Sequence, residues 1–105
     1  MIHAEFYLKD EVLIGFSVKG HAGYADFGLD IVCASVTSAV ELTANAITEI
    51  LKVPATVGVF ENEIRLSLPD CDNSSAVDFL KALRLHLELL SQDYKDHIRL
   101  TDLEV

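Results

Sequence analysis

Ile2-His3-Ala4-Glu5-Phe6-Tyr7-Leu8-Lys9-Asp10-Glu11-Val12-Leu13-Ile14-Gly15-Phe16-Ser17-Val18 is the stretch on which the fold turns. Ile2, Ala4, Phe6 and Leu8 fall on one side of an extended chain, and His3, Glu5 and Tyr7 on the other. That period of two is the pattern of a half-buried strand. Lys9-Asp10-Glu11 makes a polar turn, after which Val12, Ile14, Phe16 and Val18 resume the alternation. The stretch reads as a β-hairpin.

Downstream, Gly20 to Gly28 (GHAGYADFG) breaks the pattern with three glycines in nine residues, too many for an element interior, and reads as a mobile loop. Asp30 is expected to cap a long helix running roughly to Lys52, since its carboxylate can accept from free N–H groups of a first turn. Val32, Val36, Val40, Ala44, Ile47 and Leu51 recur at three- and four-residue intervals and make its core-facing stripe. Pro54 closes that segment. Thr56–Phe60 and Glu63–Leu68 form a second hairpin around Glu61-Asn62. Asn73 or Ser74 caps a second helix to about Leu90, with Val77, Leu80, Leu83, Leu87 and Leu90 as its stripe. Ile98–Val105 offers a last strand. The order is ββαββαβ, an α+β fold with two helices on one face of a mostly antiparallel sheet. The strand order is not readable from these patterns.

The 105 residues make one domain, 1–105, with half of them hydrophobic and enough apolar material for a core without disulfide or structural metal. Lys and Arg number 8 against 17 Asp and Glu, a formal net charge of −9. Such a field repels phosphate backbones and argues against direct nucleic-acid binding, while it suits a basic protein partner. No uninterrupted apolar run reaches the ~18 residues of a membrane span, and Met1-Ile2-His3-Ala4-Glu5 lacks the basic start and apolar stretch of a signal peptide. A cytoplasmic protein with no membrane partner is expected. Cys33 and Cys71 should remain thiols there. With four scattered histidines and no CxxC or HxxxH pair, no metal site and no cofactor are expected.

Chemistry concentrates in Gly20-His21-Ala22-Gly23-Tyr24-Ala25-Asp26-Phe27-Gly28-Leu29-Asp30-Ile31-Val32-Cys33-Ala34. With Asp30 as cap, Cys33 is the third residue of the helix, where unpaired N–H groups and the positive dipole end favour thiolate over thiol. Cysteines so placed fall from about 8.5 to roughly 3.5–7.5. His21 ends the second strand, and a folded-back loop would bring its imidazole to the thiol as a base. The plainer reading makes Cys33 a small core residue and His21 an ordinary loop-edge histidine. Ser35, Thr37 and Ser38 lack an obvious base and should bond back to helix carbonyls or face solvent. His3, His86 and His97 read as surface residues, and Cys71, between Asp70 and Asp72, sits where negative charge opposes thiolate.

GHAGYADFGLDIVCASVT resembles the signature of the ribosomal-processing cysteine protease (Prp, YsxB-like) family: GHA, a loop of about eight residues, then G-x-DIVCA-[AS]-V. The resemblance implies a peptidase that removes a short N-terminal extension from a bacterial large-subunit ribosomal protein and that forms homodimers, with the glycine loop over the active site. It implies His21 as base and Cys33 as nucleophile. Asp30, Gly20, Gly23, Gly28 and Ala34 are the matching motif positions expected to support them. Acyl transfer through a Cys33 thioester follows, with backbone N–H groups around Val32 to Ala34 as the expected oxyanion donors. Two other readings remain: a non-catalytic ribosome-assembly or scaffold module whose acidic surface binds a basic ribosomal protein, and a thiol redox protein using Cys33 with Cys71. The wide spacing of the two cysteines argues against the second.

Overall fold

The structure is a computed structural model that describes residues 1–20 and 31–105 in full and the backbone of 27–30. The alternating N-terminal stretch forms β1 (Ile2–Lys9) and β2 (Val12–Lys19). They are joined by a two-residue turn with Asp10 and Glu11 at positive φ, 51° and 67°. That mirror-image turn matches the twist of the strands it connects. The chain continues through α1 (Phe27–Asn45), which runs on into a π-helical turn (Ala46–Ile50), then β3 (Thr56–Phe60), β4 (Glu63–Ser67), α2 (Ser74–Asp93) and β5 (Ile98–Glu104). The ββαββαβ order and the α+β class are those the sequence predicts. Asn73 caps α2, its Oδ1 accepting from the Ala76 N–H at 2.9 Å.

The five strands lie in the order β3-β4-β2-β1-β5. Every pair is antiparallel except β1–β5, which is parallel. This order explains why both helices share one face. The connections β2–α1–β3 and β4–α2–β5 each return to a parallel strand, and such crossovers are right-handed almost without exception. They start from antiparallel strands and travel in opposite directions along the sheet, so the same hand puts both helices on the same side. Ile2, Ala4, Phe6, Phe16, Val18 and Leu66 from the sheet meet Val32, Val36, Val40 and Ile47 of the first helix and Val77, Leu80, Leu83 and Leu87 of the second in one core. Ile31–Ile50 is long and apolar enough to cross a bilayer by length and composition. Its buried stripe in this core is what a central helix of a small domain needs.

Two sequence expectations are corrected. β2 does not alternate evenly over Val12, Ile14, Phe16 and Val18. Tyr7 pairs with Gly15 and Leu8 with Leu13, so Ile14 is an extra residue in the ladder. The bulge turns Leu13 into the core and leaves Val12 and Ile14 half-buried. Gly15 sits beside it because a Cβ there would lie 2.4 Å from the Leu66 carbonyl oxygen. The second correction concerns the start of α1: Phe27 and Gly28, expected in the loop, already belong to the helix, and Asp30 is its fourth residue instead of its cap. Residues 21–26, with His21 and Gly23, lie outside the described residues.

Candidate active site

The earlier helix start changes how Cys33 is placed. It is the seventh residue of α1, one turn beyond the free N–H groups of the helix end. The influence of the dipole falls off within the first turn, so the helix terminus contributes less to the thiolate than a third-residue position would. The amides of Val32, Cys33 and Ala34 lie inside the helix and not at the free end that the sequence reading assumed when it offered them as oxyanion donors. Ala34 is exposed on the helix surface. Ser35 Oγ donates to the Ile31 carbonyl at 3.0 Å, the back-bonding expected of it.

Cys33 is buried but not enclosed. It lines a cleft of about 270 Å³ between α1 and the β3–β4 hairpin. The helix contributes Cys33, Val36, Thr37 and Val40; the start of β1 and end of β2 contribute Ile2, Val18, Lys19 and Gly20; the hairpin contributes Val59 through Ile64. Among the described residues the exposed wall surface is mostly apolar, and the charged groups, Lys19, Glu61 and Glu63, come from the strand ends and the hairpin. An extended chain with an apolar side chain fits such a cleft.

Gly20 is held on two sides. Its N–H donates to the Asn62 carbonyl at 3.1 Å. A Cβ on it would stand 2.8 Å from Ile2 Cα, so the strand end and the N-terminus pack backbone to backbone. The residue bonded next to this clamp is His21. Behind the hairpin, Glu63 accepts from Ser17 Oγ at 2.5 Å and from Arg65 Nε and Nη2 at 2.6 and 3.2 Å. The Arg65 guanidinium lies 5.1 Å over the Phe60 ring. Those bonds, first from Arg65 and then from Ser17, hold the Glu63 carboxyl below the usual carboxylate range.

Of the predicted site residues, Cys33 and Gly20 therefore share the cleft, while Gly28 and Asp30 occupy the first turn of α1. Cys71 is exposed in its loop, apart from this cleft. Sequence reasoning identified the second hairpin but gave it no role. The signal for one was Val57-Gly58-Val59-Phe60, apolar on both faces of a strand next to a turn.

A buried thiol lining an apolar cleft is an arrangement found in enzymes that use sulfur as a nucleophile. The comparisons agree with that class. Residues 1–99 match the family model described as cysteine protease Prp. The chain is 32% identical over 98 residues to the ribosomal processing cysteine protease Prp of Bacillus subtilis, covering 88% of each. It is 25% identical to that of Staphylococcus aureus, covering 95% of this chain and 97% of that one. The S. aureus Prp crystal structure with a substrate peptide superposes with a TM-score of 0.89 at 23% identity, covering 97% of this chain and 99% of that one. The structure with a covalently linked product peptide gives 0.87 at 24%, with the same coverage. The chain belongs to the cysteine protease Prp family, and it is a cysteine protease.

Proposed function

We propose that this protein is an endopeptidase that removes a short N-terminal extension from a bacterial large-subunit ribosomal protein, with Cys33 as nucleophile and His21 as base. The observation that carries the reading is the position of Cys33 in the apolar cleft, on the motif that begins with the clamped Gly20. Cys33 Sγ bonds to the scissile carbonyl carbon, and the peptide C–N bond breaks as His21 gives its proton to the leaving amine. Water, deprotonated by the same imidazole, then releases the acyl group and restores the thiol. The net charge of −9 suits a basic ribosomal substrate.

The protein acts in the cytoplasm and as a homodimer on this reading. Ile31 and Leu42 on α1, Ile50 in the π-helical turn that follows it, and Phe79, Leu85 and Leu89 on α2 are exposed apolar side chains that a second copy would cover. Light scattering at micromolar concentration tests the dimer, and a single 11.6 kDa species overturns it. The catalytic reading is tested by incubating the extended ribosomal protein of the same cell with wild type and Cys33→Ala and weighing the products. Cleavage at one site, lost at least ~100-fold in the variant, is expected. Undiminished cleavage by Cys33→Ala overturns the assignment.

A further inference from the structure

The sheet has two edges, β3 and β5, and they are guarded differently. β5 carries Arg99, Asp102 and Glu104 among its seven residues, and Asp102 accepts from Arg84 of α2 at 2.7 Å. Charges of that kind keep an edge from pairing with a further strand. β3, Thr56-Val57-Gly58-Val59-Phe60, has no charged residue, no proline and a register without a bulge. Its phase is fixed by its neighbour. The Asn62 carbonyl accepts from the Gly20 N–H and the Leu68 N–H donates to the Ile14 carbonyl, so the even-numbered residues along β4 bond towards β2 and the odd ones towards β3. Glu63, Arg65 and Ser67 therefore hold Phe60, Gly58 and Thr56. Val57 and Val59 turn their N–H and C=O groups outward, where no backbone partner meets them among the described residues. Val59 and Phe60 also line the cleft with Cys33.

We propose that β3 binds the substrate as an added strand: an extended segment flanking the scissile bond pairs with the free backbone groups of Val57 and Val59. The occupant is the substrate because this edge is continuous with the cleft that holds the thiol. Main-chain bonds give such a segment affinity, and its side chains alternate between the two faces of the sheet. Val57 and Val59 lie opposite Leu66 and Ile64, on the side the helices cover. Side chains of the added segment that share that side enter the apolar cleft, and the others reach the open face. The substrate is thus selected for an ability to extend, and not by its side chains alone. The inference rests on Cys33 as nucleophile in the proposed function.

The test uses the full chain and a synthetic peptide spanning the junction between the extension and the body of the ribosomal protein. Each backbone amide except the scissile one is N-methylated in turn, and kcat and KM are measured. Strand pairing imposes a period of two. On one side of the scissile bond, methylation at alternate residues should raise KM about 3- to 10-fold, and at the intervening residues it should stay within about twofold. In the protein, Val57→Pro removes one outward N–H, which an edge strand loses without losing a ladder bond. Its KM should rise by about the same factor with kcat within about twofold. If that variant does not fold, the methylation scan decides alone. A scan with no alternation, or a wild-type KM in folded Val57→Pro, overturns this inference while leaving the proposed function standing. Light scattering that shows Val57→Pro converting a dimer to a monomer, beside a scan with no alternation, gives the edge to a second copy and overturns it too. A parent peptide left uncut by wild type, or cut equally by Cys33→Ala, overturns the proposed function, and this inference with it.

Discussion

The two β-hairpins carry the same kind of alternating sequence and are put to different uses. In β1–β2, Phe6 and Phe16 sit opposite each other with ring centroids 6.4 Å apart and no exposed surface. In β3–β4, Leu66 and Ile64 continue that apolar face, but their neighbours Val57 and Val59 are 41% and 74% exposed. The helices account for the contrast. β1 and β2 lie in the middle of the sheet under both, whereas β3 is the edge strand beyond α1. An apolar strand face left uncovered next to a helix makes one wall of a cleft, and here the other wall bears Cys33. Alternation reports that a strand has an apolar side; coverage decides whether that side serves stability or binding.

The sharpest way to break the symmetry is Phe16→Ala in the central hairpin. Emptying a fully buried aromatic site costs about 3–5 kcal/mol, a large part of the 5–15 kcal/mol that holds a typical domain. Urea unfolding should show that loss, and a change below about 1 kcal/mol would mean the centre of the sheet is not the centre of the core. Next in size is Gly15→Ala, at the seam where one hairpin meets the other. The new methyl meets the Leu66 carbonyl at 2.4 Å, and backbone must move to admit it. A loss of about 1–3 kcal/mol is expected, and an unchanged urea midpoint would contradict the close approach of β2 and β4.

Val59→Ser sharpens the comparison from the other side. At 74% exposure the stability change should stay within about 0.5 kcal/mol. The cleft wall loses apolar surface, so KM for an extended peptide should rise about 3- to 10-fold, a change of roughly 1 kcal/mol in binding. Steady-state kinetics beside a melting curve separates the two effects. An unchanged KM would remove β3 from the substrate path.

Sequence patterns carried the element order and most of the core because burial in a sandwich imposes periods that side chains must obey. The stripe Val32, Val36, Val40, Ile47 and the Phe6–Phe16 alternation are examples. What they missed has local causes. The bulge at Ile14 depends on Gly15 meeting Leu66, a contact between residues about fifty positions apart. Asp30 resembled a cap because Asp is favoured both at the cap and within the first turn, so residue type alone did not place the boundary. The motif singled out Cys33, which does line the cleft, but the hairpin facing it was not legible, because the strand order that brings β3 and β4 to that edge leaves no trace in periodicity.

The smallest effect is also the one that ties the two hairpins together by charge. Glu63 is held low chiefly by the Arg65 hydrogen bonds and then by Ser17, with Lys19 adding attraction, while partial burial works the other way. A carboxyl whose folded pKa is depressed stabilises the fold fully above its unfolded value and loses that contribution as pH falls through the folded one. The contribution of Glu63 should thus be complete at neutral pH, persist at pH 5, and disappear below the ordinary carboxylate range. Arg65 is largely exposed, and solvent screening keeps the amount small. Glu63→Gln removes the charge with little change of shape, so wild type and variant should melt a few degrees apart at pH 7 and converge towards pH 3. A gap of constant size from pH 7 to pH 3 would show that the tie between β2 and β4 does not depend on an ionised Glu63.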